Sequence, residues 1–99
     1  MHNIIKNINK IFDHRVRLGI MSALMVNDFV DFNTLKELLN VTDGNLASHL
    51  KALEKMAYIT VTKEFIGRKP NTKYNTTPAG TEAFKKHIVA LEKIIKMQQ

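Results

Sequence analysis

The stretch from Thr42 to Ile59 constrains the fold of this chain most, because an apolar stripe runs through it at helical spacing. Its members stand four, three and four residues apart, which places them on one side of a helix: Leu46, Leu50, Leu53 and Ala57. The opposite side carries Ser48, Lys51 and Lys55, flanked by Asn45 and Ala52. Such a face is typical of a helix that reads a DNA groove, since Ser, Asn and Lys contact base edges and phosphates. Taken alone, the pattern also fits an ordinary amphipathic helix with a solvated face, which is the commoner case.

The segment before this stretch predicts another helix, joined to it by a tight turn. The core side of that helix is formed by Phe32, Leu35, Leu38 and Leu39. Asp31, or alternatively Asn33, is its predicted N-cap, and Asn40 suits its end because asparagine tolerates a left-handed backbone. Thr42 is the predicted N-cap of the following helix. Two helices joined so closely, the second with a polar outer face, form the helix-turn-helix pattern.

The first 27 residues predict two further helices. Residues 3–12 indicate a short amphipathic helix that must dock on something to be stable. Its apolar side is formed by Ile4, Ile8 and Ile11. A longer helix is expected from about His14 to Asn27, with Asp13 as its N-cap. It is apolar on two faces, which predicts burial on both.

After Ile59 the apolar period changes from 3.6 to 2, which predicts strands. Two strand-like segments, one ending at Ile66 and one beginning at Thr72, flank a turn cluster opened by Gly67 and indicate a hairpin. The loop and its flank carry three cations and no carboxylate: Arg68, Lys69, Pro70, Asn71, Thr72 and Lys73. A solvated hairpin tip is the plain alternative.

Thr77 and Pro78 predict the start of a last helix, because threonine is a good N-cap and proline suits the first helical position. Its apolar stripe consists of Phe84, Ile88, Leu91 and Ile95, with Ile94 and His87 at the edge. We expect this stripe to pair with the same helix of a second copy, together with Ile4, Ile8 and Ile11. The alternative is that the helix folds back on its own domain.

Charge and composition narrow the possible functions. The chain carries 15 basic and 9 acidic side chains, and the whole net charge of +6 lies after residue 50. A basic half implies a polyanionic partner, either nucleic acid or an acidic membrane surface. No run of residues is long and apolar enough to span a bilayer, and no signal peptide is apparent, so we expect a cytoplasmic protein.

Neither catalysis nor a cofactor is expected. The chain has no cysteine, which excludes a disulfide framework, a thiolate metal site and a cysteine nucleophile, and its four histidines are scattered. No glycine-rich phosphate loop, nucleophile elbow or carboxylate pair is present. Ser48 and His49 are adjacent, but neighbours on a helix point about 100° apart and cannot form a nucleophile–base pair by themselves.

The order of elements and three segments resemble the short MarR/ArsR-type transcriptional regulators, which have a winged helix-turn-helix fold. The segments begin at Asp31 (DFNTLKELL), Thr42 (TDGNLASHLKALE) and Gly67 (GRKPNTKYNTTPAG), and the segment from His14 also resembles the first core helix of that family. The similarity covers roughly residues 13–85. We therefore expect a mainly α chain with a small β-hairpin (α+β), a single winged helix domain over residues 1–99, and an added C-terminal dimerisation helix.

The resemblance implies a homodimer that binds double-stranded DNA as a transcriptional regulator, most simply a repressor. The helix over residues 42–57 would enter the major groove, and the basic wing over residues 67–73 would lie on the minor groove or the backbone. Base-reading candidates are Asn45, Ser48 and His49, while Asp43 and Gly44 would sit at the helix entrance with Thr42. Backbone or minor-groove candidates are Lys51, Lys55, Arg68, Lys69, Asn71, Thr72 and Lys73, with Arg17 as a further backbone contact.

Two departures from the family matter. Metal-sensing members carry paired cysteines or clustered histidines, which this chain lacks. Larger members add a second C-terminal helix and a ligand crevice, whereas only one such helix fits here, so no small-molecule effector is assigned. The alternative function is a winged-helix module that binds a protein rather than DNA, because fold does not fix function.

Overall fold

The computed structural model describes residues 3–98 of the chain. Its helices are α1 (Arg15–Met25), α2 (Phe32–Leu39), α3 (Asp43–Lys55) and α4 (Pro78–Lys96), and its strands are β1 (Val30–Asp31), β2 (Ile59–Ile66) and β3 (Lys69–Thr76). The expected mixture of helices and antiparallel strands is therefore confirmed, and the helix-turn-helix is formed by α2 and α3.

The sheet is antiparallel and has three strands in the order β1-β3-β2, rather than the hairpin alone. The extended segment before α2 forms β1, which pairs Val30 with Tyr74 on β3. The hairpin runs from the pair Ile59–Thr76 to the pair Ile66–Lys69, which makes β3 longer than predicted. Within the described residues β2 pairs on one side only, so it is an edge strand.

The core lies between the helices and the base of the sheet. Ten side chains in it are at most 2% exposed, and they come from the four helices, from β2 and from the segment before α1: Phe12, Ile20, Met21, Leu24, Leu35, Leu46, Leu50, Leu53, Ile59 and His87. The predicted apolar stripe of α3 is thus buried through its three leucines. Ala57 lies beyond the end of α3 and is exposed.

The predicted helix caps are confirmed at three positions, and each satisfies a backbone N–H of a first turn. The Asp31 carboxylate accepts from Thr34 N–H at 2.7 Å, the Thr42 hydroxyl from Asn45 N–H at 3.2 Å, and the Thr77 hydroxyl from Gly80 N–H at 2.9 Å. Asn40 ends α2 with φ of 51°, the left-handed conformation expected there.

Three expectations for the N-terminal region differ from the structure. Residues 3–12 do not form an α-helix; they form turns and a 3-10 turn over Lys10–Phe12. Asparagine side chains compete with helical hydrogen bonding here, since Asn3 Oδ1 accepts from Ile5 N–H and Asn9 Oδ1 accepts from Ile11 N–H. The N-cap of α1 is His14, whose Nδ1 accepts from Val16 N–H at 3.2 Å, rather than Asp13, and α1 ends at Met25 rather than Asn27.

The junction between α3, β2 and α4 is tightly packed. Ala57 has a φ of 59°, and the bonds Tyr58 N–H to Leu53 O and Ala57 N–H to Glu54 O form a Schellman motif. The start of α4 then lies against the Tyr58 carbonyl, because Thr77 N–H donates to it at 3.0 Å. A Cβ at Gly80 would overlap the Tyr58 carbonyl oxygen, so only glycine fits there.

The domain is elongated, with extents of 58 × 26 × 21 Å and a Cα radius of gyration of 15.0 Å. A compact chain of this length has a radius of gyration of about 13 Å. The 19-residue helix α4 is about 28 Å long at 1.5 Å per residue, and its last turns carry exposed apolar side chains such as Ile95. The hairpin also extends beyond the core, because Phe65 and Ile66 near its tip are exposed.

Candidate nucleic-acid interface

One face of helix α3 is buried in the core, and the opposite face is exposed to solvent. Its three leucines are at most 2% exposed, whereas Ser48, Lys51 and Lys55 are all exposed. These residues line a shallow open groove along the helix, together with Ala52 and Glu54. The polar face predicted from the sequence is therefore accessible along its length. Glu54 was missed, and it adds one carboxylate at the edge of this face.

The entrance of α3 is tied to α2 by an ion pair. Lys36 Nζ lies 2.7 Å from Asp43 Oδ1, and the two side chains are 44% and 72% exposed. Because both side chains are so exposed, this ion pair contributes little to stability. It does neutralise the Asp43 carboxylate, which would otherwise repel a phosphate near the N-terminus of α3. Gly44 faces open space, since nothing lies within 4 Å of a Cβ built on it. Lys36 belongs to this site, and sequence spacing gave no signal for it.

His49 lies on the side of α3 that faces α1 and is only partly exposed. Its Nδ1 accepts from Arg17 Nε at 3.0 Å, and its ring centroid lies 4.1 Å from that of His14. Because Nδ1 is an acceptor, the neutral ring carries its proton on Nε2. Burial lowers the pKa of His49, and the nearby His14 and Arg17 lower it further. His49 is therefore a neutral donor at the edge of the polar face.

Arg17 is engaged within the chain. Besides the bond to His49, a terminal guanidinium nitrogen donates to Ile11 O at 3.4 Å. The family resemblance implied Arg17 and His49 as separate DNA contacts, but the fold joins them into one cluster across 32 residues. These two bonds leave part of the guanidinium free, so a backbone phosphate can still be contacted.

The turn of the wing is shorter than predicted. Only Gly67 and Arg68 connect the strands, and the positive φ of Gly67 (66°) at the first central position is typical of a type II′ turn. Lys69, Asn71, Thr72 and Lys73 therefore lie on β3 rather than in a loop. Arg68 and Lys69 are exposed, and neither has a carboxylate within ion-pair distance among residues 3–98.

Lys73 and Asn71 are both engaged by Glu64 of the opposite strand. Lys73 Nζ lies 3.5 Å from Glu64 Oε1, and Asn71 Nδ2 donates to the same oxygen at 3.4 Å. Lys73 also lies 4.4 Å above the centroid of the Phe29 ring. The cations near the wing thus form two groups, free ones at the tip and a paired one at the base. Sequence analysis did not predict this role for Glu64.

The residues of the predicted dimer surface differ in how exposed they are. Phe84 is 4% exposed and packs in the core of its own chain, so its assignment to an interface is corrected. Ile88, Leu91 and Ile94 are partly buried, and Ile95 is 60% exposed. In the N-terminal segment Ile4 is 52% exposed, while Ile8 and Ile11 are partly buried.

His87 is the one buried polar side chain of the described core, with 1% exposure. Its Nδ1 accepts from Asn9 N–H at 3.1 Å, which attaches the N-terminal segment to α4. Its Nε2 is buried and has no hydrogen-bond partner among residues 3–98, and burial lowers the pKa of His87 despite the opposing effect of Asp13. The sequence had placed His87 at the edge of the α4 stripe.

Residues 3–98 contain neither a metal-binding cluster nor a membrane-spanning helix. Within that range no three His, Cys, Asp or Glu residues cluster in a way that could hold a metal ion. No described helix combines the length and apolar character that a transmembrane segment needs.

Comparison with known proteins identifies the family. The sequence profile of the winged helix DNA-binding domain matches residues 16–95. The chain is 39% identical over 87 residues to an uncharacterized protein of Methanocaldococcus jannaschii, covering 88% of this chain and 95% of that one.

Solved structures agree with this match. The transcriptional regulator homologue from Pyrococcus horikoshii OT3 superposes with a TM-score of 0.86 at 31% identity, over 97% of this chain and 93% of that chain. A protein described as a MarR-family transcriptional regulator from Enterococcus faecalis V583 shares the fold, with a TM-score of 0.66 at 21% identity over 96% and 78% of the two chains. This chain belongs to the winged helix DNA-binding domain family and is similar to the transcriptional regulator homologue from Pyrococcus horikoshii OT3.

Proposed function

We propose that this chain acts as a homodimeric transcriptional regulator that binds specific duplex DNA. In this proposal α3 enters the major groove, and the hairpin β2–β3 lies on the adjacent minor groove or backbone. The observation that carries it is the asymmetry of α3. Its leucine stripe is buried, while its opposite face exposes Ser48 and two lysines along a helix narrow enough for a major groove.

Specificity would come from the first turns of α3. Asn45 and Ser48 are exposed and can contact base edges, and His49 can donate from Nε2 because its Nδ1 is occupied by Arg17. Affinity would come from phosphate contacts by Lys51, Lys55, Arg68 and Lys69, which are exposed. Thr42, Asp43 and Gly44 would lie at the helix entrance, and Thr72 and Lys73 near the backbone.

The second copy would pack on the distal part of α4. On this part of α4 Ile95 is exposed, Leu91 and Ile94 are partly buried, and Ile88 also packs partly against the core of its own chain. Ile4 adds a further exposed apolar side chain. Pairing of two such helices would bury surface that a single chain leaves in water. Two-fold symmetry would place two α3 helices on successive major grooves about 34 Å apart, so the site would be palindromic.

A dimer that covers its site excludes other proteins from the same base pairs, which makes repression the simplest outcome. A reporter placed downstream of the selected site would test the sign of regulation. Reporter expression should fall when the protein is produced, and a rise would indicate an activator.

The proposal is tested by selection from a pool of randomised duplexes, followed by binding measurements on the enriched sequence. We expect an inverted repeat with half-sites one helical turn apart, and loss of sequence preference in Asn45→Ala and Ser48→Ala. Lys86→Ala is the matched control, because Lys86 is an exposed lysine on α4. If no duplex is retained at moderate salt, the protein-binding alternative is favoured.

Sedimentation equilibrium tests the dimer separately. Ile95→Asp places a charge on the exposed stripe of α4 and should shift the protein toward monomer. A monomeric wild-type protein at micromolar concentration would contradict the assigned interface.

A further inference from the structure

The tip of the hairpin carries two large apolar side chains that the rest of the described chain does not cover. Phe65 is 74% exposed and Ile66 is 64% exposed, immediately before the Gly67-Arg68 turn. The sequence analysis predicted no role for Phe65 or Ile66, and neither side chain belongs to the core cluster. Their position next to the free cations of the wing requires an explanation.

These two side chains lie on opposite faces of the hairpin. Successive residues of a strand alternate between faces, so Phe65 shares a face with Ile59 and Val61, and Ile66 lies on the other. Phe65 is opposite Pro70, and Ile66 is opposite Lys69. The tip is therefore apolar on both sides, whereas docking on a flat surface would bury one side only. This arrangement fits a slot with two walls.

The charges near the tip indicate which kind of surface would form this slot. From Phe65 to Tyr74 the sequence holds three cations and no carboxylate, and Arg68 and Lys69 are exposed. The nearest acid, Glu64, is engaged by Lys73. A slot with apolar walls and negative rims is the minor groove, whose walls are sugars and whose rims are phosphates.

We propose that the hairpin tip is a wedge that inserts into the minor groove, with Phe65 and Ile66 against its two walls. The inference rests on the proposed function and adds a deformation of the DNA to it. The reach is sufficient: Val61 is the last partly buried residue of β2 on the core face, and five residues at about 3.3 Å each place Ile66 about 16 Å farther out. A minor groove is about 7.5 Å deep.

Insertion must widen the groove. Two paired strands are about 4.8 Å apart before their side chains are counted, and a minor groove of B-DNA is only about 6 Å wide. Proteins that insert apolar side chains between base steps from the minor groove bend the duplex toward the major groove by about 20–90°, and we expect a bend in the same direction where the wing widens the groove. The wedge would therefore favour sites with flexible pyrimidine–purine steps under the wing, without contacting base edges there.

The test uses duplexes enriched from a randomised pool and measures affinity, its salt dependence and the end-to-end distance by energy transfer. In the variant carrying Phe65→Ala and Ile66→Ala we expect binding to weaken about tenfold or more, from the loss of apolar contact, and the bend to be lost. The slope of log K against log salt should be unchanged, because no charge is removed. Arg68→Ala should instead reduce that slope by about 0.9 per protomer.

Two further variants complete the test. Phe65→Leu keeps an apolar side chain and should keep the bend, while Val26→Ala changes an apolar residue that is 80% exposed outside the wing and should bind as wild type. Wild-type affinity and bend in the double alanine variant would overturn the wedge and leave DNA binding standing. Loss of dimer in that variant would also overturn it, by assigning the tip to a second copy. Failure of the wild-type protein to bind any duplex would overturn the proposed function and the wedge together.

Discussion

Replacing Glu64 by glutamine should strengthen DNA binding, because this carboxylate pairs with Lys73 at the base of the wing. Glu64 Oε1 lies 3.5 Å from Lys73 Nζ, and the lysine and glutamate side chains are 27% and 37% exposed. A pair exposed to this degree contributes at most about 1 kcal/mol to stability. Glutamine keeps an oxygen for the Asn71 amide, so Glu64→Gln should leave the fold intact.

The magnitude follows from counterion release. If Lys73 then neutralises one more phosphate, the slope of log K against log salt steepens by about 0.9 per protomer, or about 1.8 for a dimer. When salt is raised from 50 to 200 mM, the affinity of Glu64→Gln should therefore fall by about ten times more than the affinity of the wild-type protein falls. Lys73 stays above the Phe29 ring, which orients the ammonium without neutralising it.

The assay is fluorescence anisotropy with a selected duplex at four or five salt concentrations. Glu82→Gln is the control, because it makes the same change in net charge at an exposed position on α4. Adding Lys73→Ala to Glu64→Gln should remove the gain. A wild-type slope in Glu64→Gln would refute the reasoning, since Lys73 would then have no phosphate to contact, and so would an equal gain in Glu82→Gln.

Three further predictions concern stability. Burial lowers the pKa of His87 in the folded chain, so the unfolded chain binds more protons and the urea midpoint of unfolding should fall as pH drops from 7 to 5. His87→Phe should make this fall smaller. An equal pH dependence of the midpoint in both proteins would contradict the prediction. Gly80→Ala should destabilise the protein by about 1–3 kcal/mol, because its Cβ would meet the Tyr58 carbonyl, whereas helix propensity alone predicts a gain of about 1 kcal/mol. Ala57→Gly should stabilise it by up to about 1 kcal/mol by relieving the positive φ, and a loss of that size in thermal or urea unfolding would argue against strain at this residue.

Local signals in the sequence predicted most of the secondary structure. The caps at Asp31, Thr42 and Thr77 depend on residues three positions away, and the leucine spacing of α3 is a repeat within one helix. The change of period after Ile59 likewise located the hairpin. Such features are set by neighbours in the chain, so they can be read without knowing the fold.

Most failures came from contacts between distant residues. In residues 3–12 the local bonds of the Asn3 and Asn9 side chains oppose the helix, and the bond from Asn9 N–H to His87, which spans 78 residues, adds a tertiary contact that the helical periodicity does not show. The same limit applies at the candidate site. The sequence indicated which side chains are polar, but not that Arg17 donates to His49 or that Glu64 holds Lys73. It also gave no reason to join β1 to β3.

The position of β2 at the sheet edge has a consequence for handling the protein. A strand of eight residues that pairs on one side only within the described part of the chain offers its backbone to the same strand of another molecule, which is how many aggregates begin. Lys63 and Glu64 interrupt its apolar sequence and act against such stacking. Substitutions that remove both charges would therefore risk fibrous or amorphous precipitation during purification, even where the native state is as stable as before.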